Sequence, residues 1–270
     1  MKVSIITVAY NAAATITDTL QSVAAQTYGD IEHLVIDGAS TDNTADLVAA
    51  HGRPGTIFHS APDKGLYDAM NKGLAAASGD IIGFLNADDY YCRSDAVSLI
   101  AAATTANRGA PAVSGGVAIV DGTNPDRLRR AYPSTPFARW MLRFGHMPPH
   151  PGFYVRRAVF DRIGGFDPAL AIGADFEWML RFYHDAGLHA AAMAPTLVTL
   201  RDGGVSNSGL ASRRTINSEA LASLRRHGIA STAPVIWSKY LIKALQYVVP
   251  PKQWPAPAAV RWPPDALQAK

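Results

Sequence analysis

Four times in the first 107 residues the chain repeats one pattern: a short, largely apolar run, a cluster of polar turn residues, then a helical stripe. Val3–Ala9 has the β-branched content of a strand buried on both faces. Ile16, Leu20, Val23 and Ala24 follow at i, i+4, i+7 and i+8, one face of a helix that Asn11 can cap. Ile31–Asp37 predicts a second strand, and Asp42–Ala50 a second helix with Asp42 as its N-cap. Thr56–Ser60 predicts a third strand. Tyr67, Met70, Leu74 and Ala77 give a third stripe, closed by Gly79. Asp80–Leu85 and Asp95–Asn107 form the fourth strand and helix. Alternation at this spacing implies βαβ units, hence an α/β fold with a mainly parallel central sheet flanked by helices.

Beyond Pro111 the pattern loosens. Val113–Val120, Leu128–Tyr132, Gly152–Val155 and Ala190–Leu200 read as strands. Pro136–Arg143, Arg157–Ile163, Asp175–Tyr183, Leu210–His227 and Pro234–Val249 read as helices, and Pro250–Pro257 as an extended tail. Charge changes at the same place. Residues 1–110 carry 6 basic and 12 acidic side chains, net −6; residues 111–270 carry 19 and 10, net +9. We divide the chain into 1–110, a ligand-binding half, 111–205, a catalytic half of the same domain, and 206–270, a helical extension. The single cysteine, Cys92, excludes a disulfide framework and a Cys-rich zinc site, and suggests a reducing compartment. Neither a signal peptide nor a run of about 18 apolar residues is present, so no transmembrane helix is expected.

In an open parallel sheet, ligands bind at the carboxyl ends of the strands. Four consecutive strand ends here carry polar groups: Ala9-Tyr10-Asn11, Asp37-Gly38-Ala39-Ser40, Asp63-Lys64-Gly65 and Asn86-Ala87-Asp88-Asp89. Adjacent Asp88 and Asp89 repel unless a cation lies between them, and oxygen ligands select Mg²⁺ or Mn²⁺, which bridge diphosphate oxygens. The same residues also suit a turn before the next helix. Asp37 can accept a bond from a base or ribose, or simply shape an Asp-Gly turn. Lys64 puts a cation where phosphates could lie, or in a solvated turn. Asp175 fits both an N-cap and a general base that takes the proton from an attacking hydroxyl. Glu177 lies about 200° further round that helix and should face elsewhere. His150 can be structural or a ligand. The chain lacks G-x-G-x-x-G, G-x-x-x-x-G-K-[ST] and G-x-S-x-G, which argues against dinucleotide dehydrogenases, P-loop NTPases and α/β-hydrolases.

In order, the pieces resemble the family-2 glycosyltransferases of the GT-A fold. The resemblance is carried by Ser4–Asn11, Ile36–Asp42, Pro62–Gly73, Asp80–Asp89, Gly164–Asp167 and Ala174–Arg181, over roughly residues 1–205. It is strongest to the branch that builds bacterial exopolysaccharide, capsule or glycolipid sugars. The resemblance implies an inverting transfer of one sugar from a nucleotide-diphosphate sugar, with UDP favoured, to a lipid-linked or glycan acceptor. It implies that Val8, Tyr10, Asn11 and Asp37 hold the nucleoside, with Asp63, Lys64 and Asn86 nearby. Asp88 and Asp89 correspond to the D-x-D metal region for Mg²⁺ or Mn²⁺, and Asp175 to the base. Two departures stand out: Asn86 occupies the first D-x-D position, and Asp37-Gly38-Ala39-Ser40 replaces the usual Asp-Asp-Gly-Ser. The Q-x-x-R-W motif of processive synthases is absent, which favours single additions. The rival readings are a sugar-phosphate nucleotidyltransferase and an inactive nucleotide-sugar-binding protein. The first would need a Gly-rich, basic loop after the first strand, and Ala9-Tyr10-Asn11-Ala12 does not supply one.

Ser231–Val249 combines Trp237, Tyr240 and Leu241 with Lys239 and Lys243 at i, i+4. Such a helix suits an anionic membrane surface, and equally packing on the catalytic domain or in a homodimer. Nucleic acid is disfavoured, since no stacking motif accompanies the basic residues. The resulting expectation is a cytoplasmic protein, peripheral on the inner face of the plasma membrane.

Overall fold

A computed structural model describes residues 1–203, 209–241 and 263. The first half alternates as expected: β1 (Val3–Ala9), α1 (Ile16–Ala24), β2 (Ile31–Asp37), α2 (Thr44–His51), β3 (Ile57–Ser60), α3 (Leu66–Ala76) and β4 (Ile81–Phe84). Next come β5 (Tyr90–Tyr91), α4 (Ala96–Ala106), β6 (Ala112–Val120), β7 (Leu128–Tyr132), β8 (Phe153–Arg156) and α5 (Arg157–Ile163). The chain continues through α6 (Ala174–Leu180), β9 (Ala190–Arg201), α7 (Leu210–Arg226) and α8 (Ala233–Trp237).

The described strands form one sheet, ordered β3-β2-β1-β4-β8-β6-β9-β5, with β7 added beside β6. β3, β2, β1 and β4 run parallel. β8 is antiparallel to both β4 and β6 and so welds the two halves into a single layer. β6 and β9 are parallel to one another, while β5 and β7 oppose their neighbours. The sheet is therefore mainly parallel, with three reversed strands that residue patterning does not reveal. β1 is an interior strand between β2 and β4, and all seven of its residues are buried. Burying a side chain such as Ile5 or Ile6 stabilises by about 1.5–3 kcal/mol.

Several local expectations change. Asn11 does not cap α1; its backbone is left-handed at φ 48° and its amide oxygen accepts the Thr41 N–H at 2.9 Å. Loop-to-loop bonding has taken the group a cap would need. The buried face of α1 is Ile16, Thr19, Leu20, Ser22 and Val23, while Ala24 is exposed. α2 starts one residue later than an Asp42 cap requires, with Asn43 at the N-cap position. Asp42 turns back instead, accepting the Thr44 N–H at 3.1 Å and the Ala13 N–H at 3.0 Å. Gly79 is no C-cap, because α3 ends at Ala76. It is a glycine for space: a Cβ there would lie 2.5 Å from Ser4 Oγ. The expected helix at Pro136–Arg143 is a 3₁₀ segment, Arg139–Phe144.

The two-residue strand β5 is absent from the sequence reading. It pairs with β9 through Tyr90↔Thr199 and Tyr91↔Val198, and both tyrosines are fully buried. The Tyr154 hydroxyl donates to that of Tyr91 at 3.0 Å. β5 follows Asp88-Asp89 directly, so this pairing pins the acidic turn between β4 and β9. In the extension, α7 packs on α6 and α8, and Ile236 of α8 enters the main core. Residues 242–249 of the expected last helix and the tail Pro250–Pro257 lie outside the described residues.

Candidate active site

The loops after β1, β2 and β3 are laced together by hydrogen bonds. Asp37 ends β2 with 1% exposure. Its carboxylate accepts the Ser40 N–H at 2.9 Å, the Ser60 hydroxyl at 2.6 Å and the Ser40 hydroxyl. Ser40 Oγ accepts the Asn11 N–H at 2.7 Å. The next contact runs to the loop after β3: a Cβ on Gly38 would meet Asp63 Oδ2 at 2.6 Å and the Tyr10 ring at 3.3 Å. Only glycine lets that carboxylate and ring approach the β2 turn so closely. Asp63 is itself fixed by the Gly65 N–H at 2.8 Å. Tyr10 is 67% exposed above this floor, a ring available for stacking.

Thus Tyr10, Asn11, Asp37 and Asp63 are brought into one patch. Val8 differs, because its side chain is buried in the core and its carbonyl accepts the Ala87 N–H at 3.2 Å. Lys64 is exposed at the lip. Asp37 has its oxygens committed to its own loops, which makes it the anchor of the patch.

Asp88 and Asp89 follow β4. Asp89 is 3% exposed, and burial first, then the charge of Asp88, push its carboxyl well above the usual range. Burial also raises half-buried Asp88. Arg201, at the end of β9, opposes both shifts. It donates to the Asp88 carbonyl at 3.2 Å, pairs with Asp18 and sits 5.1 Å over the Tyr90 ring. Asn86 is half-buried, and its carbonyl accepts the Asp89 N–H at 3.0 Å. Among the described residues no three His, Cys, Asp or Glu side chains group as a metal cage. The two raised carboxylates fit Mg²⁺ or Mn²⁺, ions commonly held by one or two carboxylates plus substrate phosphates.

Asp175 lies in the first turn of α6, two residues past the position a cap occupies, since Gly173 is the N-cap. Its Oδ1 accepts the Phe176 N–H at 2.7 Å. Burial raises its carboxyl to about 6, against the lowering effects of that bond and of Tyr67. Tyr67 stands in the first turn of α3, immediately after Asp63-Lys64-Gly65. Its hydroxyl bonds the Ile172 carbonyl and lies 3.5 Å from Asp175 Oδ1. The start of α3 therefore connects the ligand loops to the candidate base. Glu177 points elsewhere as expected, paired with Arg181 at 2.8 Å and with His227 at 3.2 Å. His150 is structural: it stacks on Phe84 at 5.4 Å, and burial holds it down to about 4, hence neutral.

Residues 4–164 match the family model described as glycosyl transferase family 2. The chain belongs to this family. It is 35% identical over 184 residues to an uncharacterized glycosyltransferase of Mycobacterium tuberculosis, covering 66% of this chain and 68% of that one. It is 31% identical over 216 residues to a PGL/p-HBAD biosynthesis glycosyltransferase of Mycobacterium bovis, covering 76% and 79%. Among solved structures, glucosyl-3-phosphoglycerate synthase of Mycobacterium tuberculosis, in complex with Mn²⁺, UDP and phosphoglyceric acid, superposes with a TM-score of 0.61 at 23% identity. That match covers 86% of this chain and 80% of the other. The fold is GT-A. No described helix of this glycosyltransferase is long and apolar enough to cross a membrane.

Motif reading missed Ser60, Tyr67 and Arg201, and it missed Glu219 and Lys239 of the extension. Each is an ordinary residue on a helix, strand or turn, and only packing brings it to the site. Arg201 left the one faint signal, a cation directly after the apolar run Ala190–Leu200.

Proposed function

We propose that this glycosyltransferase moves one sugar, with inversion, from a nucleotide-diphosphate sugar to a lipid-linked or glycan acceptor. Asp175 carries the reading: a base works best with its pKa near the working pH, and burial lifts this carboxyl to about 6. Ionised, it takes the proton from an acceptor hydroxyl. That oxygen forms the new bond to the anomeric carbon as the bond to the diphosphate breaks. Tyr10 stacks on the base, Asn11 and Asp63 face the nucleoside, and Asp37 keeps their loops in place. Val8 contributes the strand end beneath them. Lys64 and Asn86 lie toward the diphosphate, whose leaving charge a lysine stabilises. Asp88, backed by Asp89, would hold Mg²⁺ or Mn²⁺, which when bound neutralises developing phosphate charge. UDP is favoured by the relative solved with UDP and Mn²⁺.

A lipid-linked acceptor is supported by an amphipathic exposed surface. Trp140 and Trp237 are 66% and 39% exposed and Leu241 71%, with Arg139 and Arg143 exposed on the adjoining 3₁₀ segment. Aromatic and apolar tips beside cations suit peripheral contact with an anionic bilayer, such as the inner face of the plasma membrane.

The deciding experiment is a thermal-shift screen of UDP-, GDP- and dTDP-sugars, followed by transfer assays of wild type and Asp175→Ala with the best donor. Donor binding kept and turnover lost supports the reading. Full transfer by Asp175→Ala overturns it. For the metal, Mn²⁺ is titrated against UDP binding in wild type and Asp88→Ala. Equal, metal-independent binding in both rejects the site. Salt-sensitive sedimentation with anionic liposomes tests the surface.

A further inference from the structure

The family match ends at residue 164, so α7 and α8 lie beyond it. α7 nevertheless reaches the turn that leads into the base. Glu219, midway along α7, accepts three consecutive backbone N–H groups just before α6: Ala171 at 2.8 Å, Ile172 at 3.1 Å and Gly173 at 2.8 Å. This turn delivers Asp175 two residues later, and the Ile172 carbonyl in it receives the Tyr67 hydroxyl. One carboxylate from a separate helix thereby satisfies three donors of the turn that leads into α6.

From the other side comes Lys239. It is 5% exposed, and its ammonium makes no hydrogen bond or ion pair with any described residue. Its surroundings are the Tyr240 ring at 5.5 Å and the backbone at Gly145, where a Cβ would lie 3.2 Å from Nζ. Burial pushes Lys239 down to about 8, and the opposing influence comes from the Asp175 carboxylate. A buried ammonium is costly unless an anion compensates it. The charged and titratable groups acting on Asp175 and Lys239 are thus Tyr67 from α3, Glu219 from α7 and these two residues themselves.

We propose that Glu219 is a positioning residue through which α7 fixes the turn that presents Asp175, and that the charges of Glu219 and Lys239 act on that carboxylate in opposite directions. Glu219 fixes the turn and disfavours the carboxylate. Lys239 favours the carboxylate and keeps it ready to accept a proton. The inference rests on Asp175 as the base, but its test does not.

The full chain, labelled with ¹³C at aspartate carboxyls, is titrated by NMR, and the Asp175 signal is assigned by its loss in Asp175→Asn. Lys239→Met should move the Asp175 midpoint up by about 0.5 pH units or more, because a favourable opposite charge has gone. Glu219→Gln keeps an acceptor for the turn, and it should move the midpoint down, because a like charge has gone. Lys239→Arg should restore the wild-type value. Thermal unfolding confirms that each variant is folded, and Lys239→Met stands alone if Glu219→Gln is not. Unmoved midpoints in folded variants overturn the inference. An active Asp175→Ala enzyme would instead overturn the base, whatever the midpoints do.

Discussion

The loops after β1, β2 and β3 and the proposed metal and base positions treat their carboxylates in opposite ways. Asp37 is buried with three hydrogen-bond donors around it, and Asp42 accepts from Thr44 and Ala13. Asp88, Asp89 and Asp175 are driven upward by burial, against partial compensation from Arg201 at the first two and from backbone amides, the Tyr67 hydroxyl and Lys239 at the third. The first arrangement makes a preformed floor whose charges are already satisfied. The second stores uncompensated charge that a cation, a proton or a substrate can use. Folding stability is thereby gained in the loops and given up at the chemistry, the usual pattern of a site held ready for reaction.

The largest expected effect lies on the catalytic side. Asp175→Ala should lower transfer about 10²–10⁴-fold with donor affinity retained, measured as kcat and as Kd for the donor. Next is the floor. Asp37→Ala takes the acceptor from one half-buried amide and two hydroxyls and should cost about 1–3 kcal/mol in urea unfolding, with weaker UDP binding. A fully stable Asp37→Ala protein would break the contrast. The third effect runs the other way.

The Asp175 carboxyl sits near 6 in the folded chain against an ordinary 3.8. A raised folded value gives stability that is complete below the ordinary pKa and lost as pH rises through the folded one. Asp175→Asn removes that loss. It should raise stability by about 3 kcal/mol at pH 8 and leave it nearly unchanged below pH 4, as read by thermal melts across pH. A variant less stable at pH 8 would show that Asp175 is structural. The smallest effect is at Tyr10, whose ring is mostly solvent-exposed. Tyr10→Ala should alter stability by less than about 0.5 kcal/mol while weakening UDP binding, which separates the floor's scaffold from its contact surface.

Legibility in the sequence followed the same division. Asp37, Asp63, Asp88 and Asp175 announced themselves because each follows or starts a periodic element, where parallel sheets gather their ligands. Their partners did not. Tyr67 reads as a core position of a helical stripe, and it is buried, yet its hydroxyl reaches across to Ile172 and Asp175. Glu219 belongs to no motif, although it closes a turn 46–48 residues earlier. Asn11 and Asp42 read as caps because local geometry allows it; bonds between neighbouring loops gave both a better use.

By itself the sequence determined the alternating elements, the buried strand β1, the four polar strand ends and the family. These depend on periodicity and turn chemistry, which act over a few residues. Tertiary structure alone decided the antiparallel weld at β8, the β5 clasp beside Asp88 and Asp89, and the approach of α7 to the turn before Asp175. Those choices turn on how much apolar surface a distant segment buries and on which charge it meets there. Neither quantity is encoded in any short stretch of the chain. The +9 balance of residues 111–270 hinted at a surface role, yet one of its lysines, Lys239, is buried against Tyr240 and Gly145.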